Sequence, residues 1–404
     1  MVYHLKRLLI ILACLTGTIS SAAQVIPGAA RAEIVIPLLK GKRIGIVAND
    51  ASVIPLMVNG SDTAMPALIN TVKFFSDSGI RVVKIFSPEH GFGVTVEAGG
   101  VVADGVDPVT GIPVVSLYGA HKKPTPMQLD GLDAMVFDIQ DVGVRFYTYI
   151  STLTFLMEAC AQKGLPLIVL DRPNPNGFYV DGPVMKPGYT SFVGMHPVPV
   201  VYGMTIGEYA LMVNGEKWLS GKVTCDLTVI PVAGYTHQTR MKFLKPPSPN
   251  LPDSNAIYLY PSLCFFEGTI MSVGRGTDFP FEVFGHPAFP DTTFSFFPVS
   301  VQGKAAHPPY EGTRCRGADL RDYYKINPGS MGRIHLGWLI RAYELMKGEG
   351  NFFNDYFDKL AGSDALRKSI IRGKNETEIR RSWKADLLRF KKIRSRYLLY
   401  ADQD

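Results

Sequence analysis

Along residues 42–50 (KRIGIVAND), 80–91 (IRVVKIFSPEHG), 133–143 (DAMVFDIQDVG) and 165–177 (LPLIVLDRPNPNG), an unbroken apolar run gives way to polar and turn residues. Continuous rather than alternating runs are what strands covered on both faces require. Between them, 64–79 and 147–163 carry apolar residues at the helical period, the second closed by Gly164. Strands alternating with helices predict an α/β fold: a Rossmann-like, doubly wound, mostly parallel sheet. No GxGxxG follows the first run, so a dinucleotide cofactor is not expected. Residues 178–300 are richer in loops (KPPSPNLPDS at 245–254, GHPAFPDTT at 285–293) and read as a second subdomain or an elaborated crossover within the same core. From about 301 the pattern becomes helical and basic, which predicts a catalytic domain over 24–300 and a smaller, mainly helical α+β domain over 301–404.

The first residues stand apart from this pattern. Lys6 and Arg7 precede the apolar stretch 8–18, and Ser21-Ala22-Ala23 supplies small residues. That is the three-part plan of an export signal cleaved after Ala23, with an apolar stretch too short for a membrane span. Ile11-Leu12-Ala13-Cys14 loosely matches a lipoprotein site, but Cys14 comes early and the apolar run continues past it. A periplasmic location is therefore expected in preference to lipid anchoring at Cys14.

With 46% hydrophobic and 19% charged residues, the 404-residue chain has a globular composition, not a disordered one. Loss of residues 1–23 removes two cations and no acid, taking the formal charge from +6 to +4 (6 − 2). The late basic runs RKSIIRGK and RRSWKADLLRFKKIRSR read as a solvated helix face, and no nucleic-acid partner is expected. Cys160, Cys225, Cys264 and Cys315 are too few for a disulfide framework and read as small buried apolar residues. No CxxC, HxxxH or HExxH occurs, so no zinc site is expected.

In open α/β sheets, ligands bind outside the carboxyl ends of the strands. Four of the runs above end in Asn49-Asp50, Glu89-His90, Asp138-Gln140-Asp141 and Asp171-Arg172-Asn174. If the strands lie side by side, these groups share one rim. In SPEHGFG (87–93), Pro88 stiffens the approach, and Gly91 and Gly93 permit tight turns around Glu89 and His90. A capping acid beside a surface histidine accounts for the same residues without catalysis. FDIQDVGVRFYTY (137–149) adds Arg145 and the aromatics Phe146, Tyr147 and Tyr149, which either stack on a sugar or pack in the core. In FFEGTIMSVGRGTDFPFE (265–282), Glu267 and Glu282 have apolar surroundings, where a carboxyl holds its proton to higher pH. Arg275 between two glycines is suited to gripping a carboxylate, or to tying down its own loop through an internal Arg–Glu pair. Asn250 lies in the rigid loop PSPNLP (247–252).

Taken together, SPEHGF, FDIQDVGVRFYTY, LDRPNPNG with Gly182-Pro183, YGMTIGE (202–208), PSPNLP and FEGTIMSVGRGTDFPFE resemble, in order and spacing, the exo-β-N-acetylmuramidase family (NamZ-like, glycoside hydrolase family 171, formerly a domain of unknown function). LAGSDALR (360–367), Trp383 and RYLLY (396–400) fit its ending, so the resemblance spans about 40 to 400. It implies a Rossmann-like domain with a cleft between two subdomains, and release of N-acetylmuramic acid from non-reducing ends of peptidoglycan fragments, without cofactor or metal. It also implies that the catalytic glutamate is Glu89, here expected to be the general acid. The second catalytic group is expected from Asp138, Asp141, Glu267 or Glu282, or from the substrate's acetamido group positioned by one of them. Substrate contacts are expected from His90, Gln140, Asp141, Arg145, Asn174, Asn250 and Arg275. Of these, Arg275 or Arg145 would take the lactyl carboxylate, and His90 and Asn174 the hydroxyls.

The chain departs from the family pattern at two places. Many members have Arg-His where it has Val201-Tyr202, and Asn and Glu where it has Met271 and Val273. If these positions line the cleft, they alter substrate preference. Two rival functions stand beside the hydrolase: a periplasmic muropeptide-binding protein with a decayed site, and a hydrolase of an ester or amide bond in the cell wall.

Overall fold

The computed structural model describes residues 24–56, 67–93, 100, 103–241, 243–290 and 293–402; the expected export signal lies outside the described residues. The first part of the chain runs α1 (Ala32–Leu39), β1 (Arg43–Ala48), β2 (Val53–Leu56), β3 (Ala67–Asn70), α2 (Thr71–Asp77), β4 (Arg81–Ser87), β5 (Gly105–Val106), β6 (Pro113–Ser116), β7 (Ala134–Asp138), α3 (Tyr149–Lys163), β8 (Leu167–Leu170), α4 (Ile206–Gly215) and β9 (Leu227–Ile230). One sheet takes the order β5-β6-β4-β1-β7-β8-β9. Every pairing in it is parallel except that of β5 with β6.

Alternate residues of the central strands enter two separate apolar clusters. Ile44, Ile46, Ala134, Val136, Ile168 and Leu170 pack with Val35 and Leu39 of α1 and Val72 and Phe75 of α2. Val47, Met135, Phe137, Leu167 and Val169 pack with Leu153 and Leu156 of α3 and Tyr209 and Val213 of α4. A strand between two apolar layers has no polar face, which is why these runs read as unbroken. The four adjacent strands β4, β1, β7 and β8 bring all four polar strand ends to one rim.

Helix α3 begins two residues inside the 147–163 expectation, and Gly164 closes it in the left-handed region at φ 67°. The segment expected to be helical from residue 64 is a helix only from Thr71. Before it, β3 pairs antiparallel with β2, and the side chain of Asn70 caps α2 by accepting from Val72 N at 3.0 Å. An apolar stretch this short satisfies either period, and the Asn cap decides where the helix starts.

The rest of the chain holds α5 (Ser254–Leu263), β10 (Val283–His286), β11 (Phe294–Phe296), β12 (Cys315–Asp319), α6 (Tyr323–Ile326), α7 (Leu336–Met346), α8 (Phe357–Ala361), α9 (Ala365–Ile371) and α10 (Glu376–Arg394). Strands β10, β12 and β11 form a small antiparallel sheet. The boundary expected at residue 300 falls inside that sheet, because the loop-rich stretch before it and the strand after it pair with each other. Polar contacts fasten this region to α4 and to the segment between β8 and α4. Arg380 Nη2 meets Asp181 Oδ2 at 2.7 Å, Arg394 Nε donates to Gly203 O at 2.8 Å, and Leu399 N donates to Glu208 Oε1 at 2.7 Å. Cys160, Cys225, Cys264 and Cys315 are free thiols, all buried.

Candidate active site

A cavity of about 600 Å³ opens where the sheet rim faces the 264–309 segment and α8. Of the sequence candidates, it is lined by Glu89, His90, Asn250, Glu267 and Arg275. Glu89 follows β4 by two residues and is 8% exposed. Its neighbour His90 is held at φ 72°, a conformation that side chains other than glycine adopt at a cost. The loop is tight, since Gly91 N donates back to Pro88 O at 3.1 Å. Thr148 Oγ1, at the start of α3, donates to Glu89 Oε2 at 2.6 Å.

On another wall, a 3₁₀ turn over Cys264–Gly268 presents Glu267. Arg275 Nε donates to Glu267 Oε1 at 2.6 Å, and the Cys264 thiol donates to Oε2 at 3.6 Å. The guanidinium lies 5.0 Å from the Phe281 ring centroid. Gly276 lets this loop approach its neighbour: at φ 81°, an added Cβ would come within 2.5 Å of Val299 O. Arg275 therefore ties its loop down through an internal Arg–Glu pair, and it also lines the cavity. Asn250 Nδ2 donates to Lys304 O at 2.8 Å, which joins the PSPNLP loop to the far wall.

Helix α8 and its N-cap add residues with no local signal in the sequence. Tyr356 and Lys359 line the cavity. The Tyr356 hydroxyl is pushed up by burial first, then by Cys264, Glu267 and Glu89, which puts it within the field of both glutamates. Lys122, Lys304 and His307 also line the cavity and were not singled out from the sequence.

The other expected site residues are absent from the cavity lining, each for a stated bond. Asp138 forms a buried two-point ion pair with Arg172, Oδ1 to Nε at 2.6 Å and Oδ2 to Nη2 at 2.8 Å. Gln140 Nε2 donates to Asp141 O and Pro173 O, each at 2.8 Å. Arg145 is fully buried and donates to Pro183 O, Val198 O and Leu360 O, each at 2.8 Å. It thus straps α8 to the sheet domain and is not part of the cavity lining. Asn174 Nδ2 donates to Met204 O at 2.7 Å. Glu282 is hydrogen-bonded by Asn255, with its carboxyl held up by burial. Tyr202, Met271 and Val273 are core residues. The departures from the family pattern at 201–202, 271 and 273 therefore fall outside the cavity lining.

Asp141 is fully enclosed, with Oδ2 accepting from Gly143 N at 2.8 Å and from Tyr202. Its Oδ1 has no partner. Burial pushes its carboxyl up to about 6 from 3.8. The folded protein thus binds this proton more tightly than the unfolded chain. The stability that Asp141 contributes is full below about 4 and is lost as pH rises to about 6, by an amount on the order of 3 kcal/mol. Asp141→Asn is expected to raise the urea midpoint above pH 6 and to leave it nearly unchanged at pH 4.

With this geometry established, comparison with known proteins places the chain. A model of the exo-β-N-acetylmuramidase NamZ N-terminal region matches residues 44–255, and one of the NamZ C-terminal region matches 258–400. The chain belongs to the NamZ family. The peptidoglycan β-N-acetylmuramidase NamZ of Bacillus subtilis (strain 168) is 37% identical over 381 residues, covering 90% of this chain and 88% of that protein. Two crystal structures of DUF1343 family proteins from Bacteroides fragilis NCTC 9343 share the fold. One has a TM-score of 0.83 and 44% identity, covering 94% of this chain and all of that one. The other has a TM-score of 0.77 and 28% identity, covering 93% and 99%. The N-terminal NamZ model ends two residues after Asp253, the cap of α5, and the C-terminal model begins within α5. The cavity therefore draws Glu89, Thr148 and Asn250 from the N-terminal NamZ region, and Glu267, Arg275, Tyr356 and Lys359 from the C-terminal one.

Proposed function

We propose that this chain is an exported, exo-acting β-N-acetylmuramidase, which hydrolyses the bond between a non-reducing-end N-acetylmuramic acid and the rest of a peptidoglycan fragment. Glu89 is the proton donor. The observation that carries this reading is the pair of carboxyls, Glu89 and Glu267, on the walls of one cavity in a chain of the NamZ family. Glycosidic cleavage needs an acid for the leaving oxygen and a second group for the oxocarbenium-like charge at the anomeric carbon. With Asp138, Asp141 and Glu282 held elsewhere, the second role falls to Glu267 or to the substrate's own acetamido group. Arg275 holds the Glu267 carboxyl in place through a charge-assisted bond, Nε to Oε1 at 2.6 Å.

The lactyl carboxylate distinguishes muramic acid from N-acetylglucosamine. Lys122, Arg275, Lys304 and Lys359 line the cavity beside the carboxyls of Glu89 and Glu267, an excess of cations that favours an anionic sugar over a neutral one. Residues 1–23 supply the export signal, and the periplasm supplies the substrate.

The test is a defined oligosaccharide with N-acetylmuramic acid at its non-reducing end, followed by mass spectrometry. Free N-acetylmuramic acid and a fragment beginning with N-acetylglucosamine are expected, and an oligosaccharide that begins with N-acetylglucosamine should stay intact. Depletion without free sugar would make the protein a binder. A product that keeps its glycosidic bonds but loses an acyl or peptide group would make it a hydrolase of another bond.

A further inference from the structure

The geometry points to Thr148 as the positioning residue of the proton donor: its hydroxyl fixes which oxygen of Glu89 carries the proton. This rests on the reading of Glu89 as general acid. Thr148 occupies the N-cap of the 15-residue helix α3, yet its side chain makes no capping bond. A threonine there ordinarily accepts from the backbone N–H two or three residues on, as Thr205 does for α4, accepting from Glu208 N. Thr148 starts its helix through its carbonyl alone, which accepts from Ser151 N at 2.9 Å and Thr152 N at 3.0 Å. The hydroxyl is turned to Glu89 Oε2, 2.6 Å away, on the cavity wall.

The backbone around Thr148 is pinned on both sides. Tyr147 and Tyr149 each donate to Pro247 O, at 2.9 and 3.3 Å, and Asn49 Nδ2 donates to the Tyr149 hydroxyl at 2.9 Å. The end of β1, the 245–249 loop and the start of α3 therefore hold the Thr148 hydroxyl at a fixed point against the loop after β4.

A carboxylic acid has one carbonyl oxygen and one O–H. A hydroxyl that donates to Oε2 makes Oε2 the carbonyl and leaves the acidic proton on Oε1. As the anomeric C–O bond breaks, that proton passes to the leaving oxygen and Glu89 becomes a carboxylate. A carboxylate accepts more strongly than the neutral acid, so the Thr148 bond tightens along the reaction. An interaction that strengthens toward the transition state raises turnover and leaves substrate affinity nearly unchanged.

Thr148→Val and Thr148→Ser in the full mature chain test this with two substrates. One is the disaccharide of N-acetylmuramic acid and N-acetylglucosamine, whose leaving alkoxide needs the proton. The other is 4-nitrophenyl N-acetylmuramide, whose phenolate departs without it. Thr148→Val is expected to lower kcat on the disaccharide about 10- to 100-fold with KM within about twofold, and to lower aryl turnover less than about threefold. Thr148→Ser keeps the donor and should restore both. Wild-type turnover of the disaccharide by Thr148→Val, or equal loss on both substrates, overturns the inference. Glu89→Gln measured alongside separates the two levels. If Glu89→Gln loses the disaccharide and Thr148→Val does not, the role of Thr148 alone fails. If Glu89→Gln still cleaves it, the acid assignment fails and takes the inference with it.

Discussion

Glu89→Gln is expected to lose about 10²- to 10⁴-fold in kcat on an N-acetylmuramic acid disaccharide, the usual contribution of a positioned general acid. The amide nearly matches the carboxyl in shape, and its oxygen still accepts from Thr148. Fold and sugar binding should therefore survive, with a melting temperature near wild type and KM little changed. What the variant lacks is a proton that it can give up. The loss should shrink with a 4-nitrophenyl leaving group, because a phenolate needs little protonation to depart. That dependence on the leaving group separates a missing acid from a misfolded site, which would lose both substrates together. Near-normal turnover of the disaccharide would shift the acid role toward Glu267, the other carboxyl on the cavity wall.

The rim of the sheet was legible in the sequence, because short unbroken apolar runs such as Ile44–Ala48 and Ala134–Phe137, each followed by polar and turn residues, fit strands buried on both faces. Such runs end in polar residues where the sheet ends, so the four strand termini could be named. Which of them face a ligand could not be read locally. Asp138 and Arg172 are 34 positions apart and neutralise each other, while Asp141 and Tyr202 are 61 apart. Arg145 spends its donors on carbonyls as far away as Leu360, 215 positions on. A polar side chain at a strand end thus has two outlets, the cavity or another strand end, and only tertiary structure decides between them. Glu89 and His90 face the cavity because the Pro88–Gly91 turn carries them past the end of β4.

The second wall lay further from view. Tyr356 caps, and Lys359 sits in, a short helix with no distinguishing motif, and α8 is placed by packing of Phe357 against the 3₁₀ turn that carries Glu267. That contact is close enough that a Cβ on Gly268 would come within 2.4 Å of the Phe357 backbone. Glu267 and Tyr356 therefore arrive in the cavity as one unit. Thr148, by contrast, lay within the quoted stretch 137–149 among larger aromatic neighbours. The expected helix of 147–163 takes Thr148 into its first turn, and nothing in the sequence tells that its hydroxyl bonds to Glu89.

Asp138→Asn is expected to destabilise the protein by about 3–5 kcal/mol, the effect of removing one partner from a buried ion pair. The side chains of Asp138 and Arg172 are 0% and 4% exposed, and the pair is bidentate. Arg172 Nη1 also donates to Val53 O at 3.1 Å, so the same guanidinium joins β2 to the ends of β7 and β8. An amide at 138 offers one acceptor in place of two, turns an NH₂ toward the guanidinium and leaves a positive charge in the core without its counter-ion. Against a total stability of about 5–15 kcal/mol for an ordinary domain, this is a large fraction, so a much lower urea midpoint and poor soluble yield are expected. Folded molecules that remain should turn over the disaccharide at close to the wild-type rate, because residue 138 does not line the cavity. Adding Arg172→Met, which removes the stranded charge, should recover part of the lost stability, as expected for two groups coupled to each other. A variant as stable as wild type but inactive would return Asp138 to the chemistry. The combination expected here, low stability with intact turnover per folded molecule, makes the Asp138–Arg172 pair the latch that holds three strand ends together beneath the site.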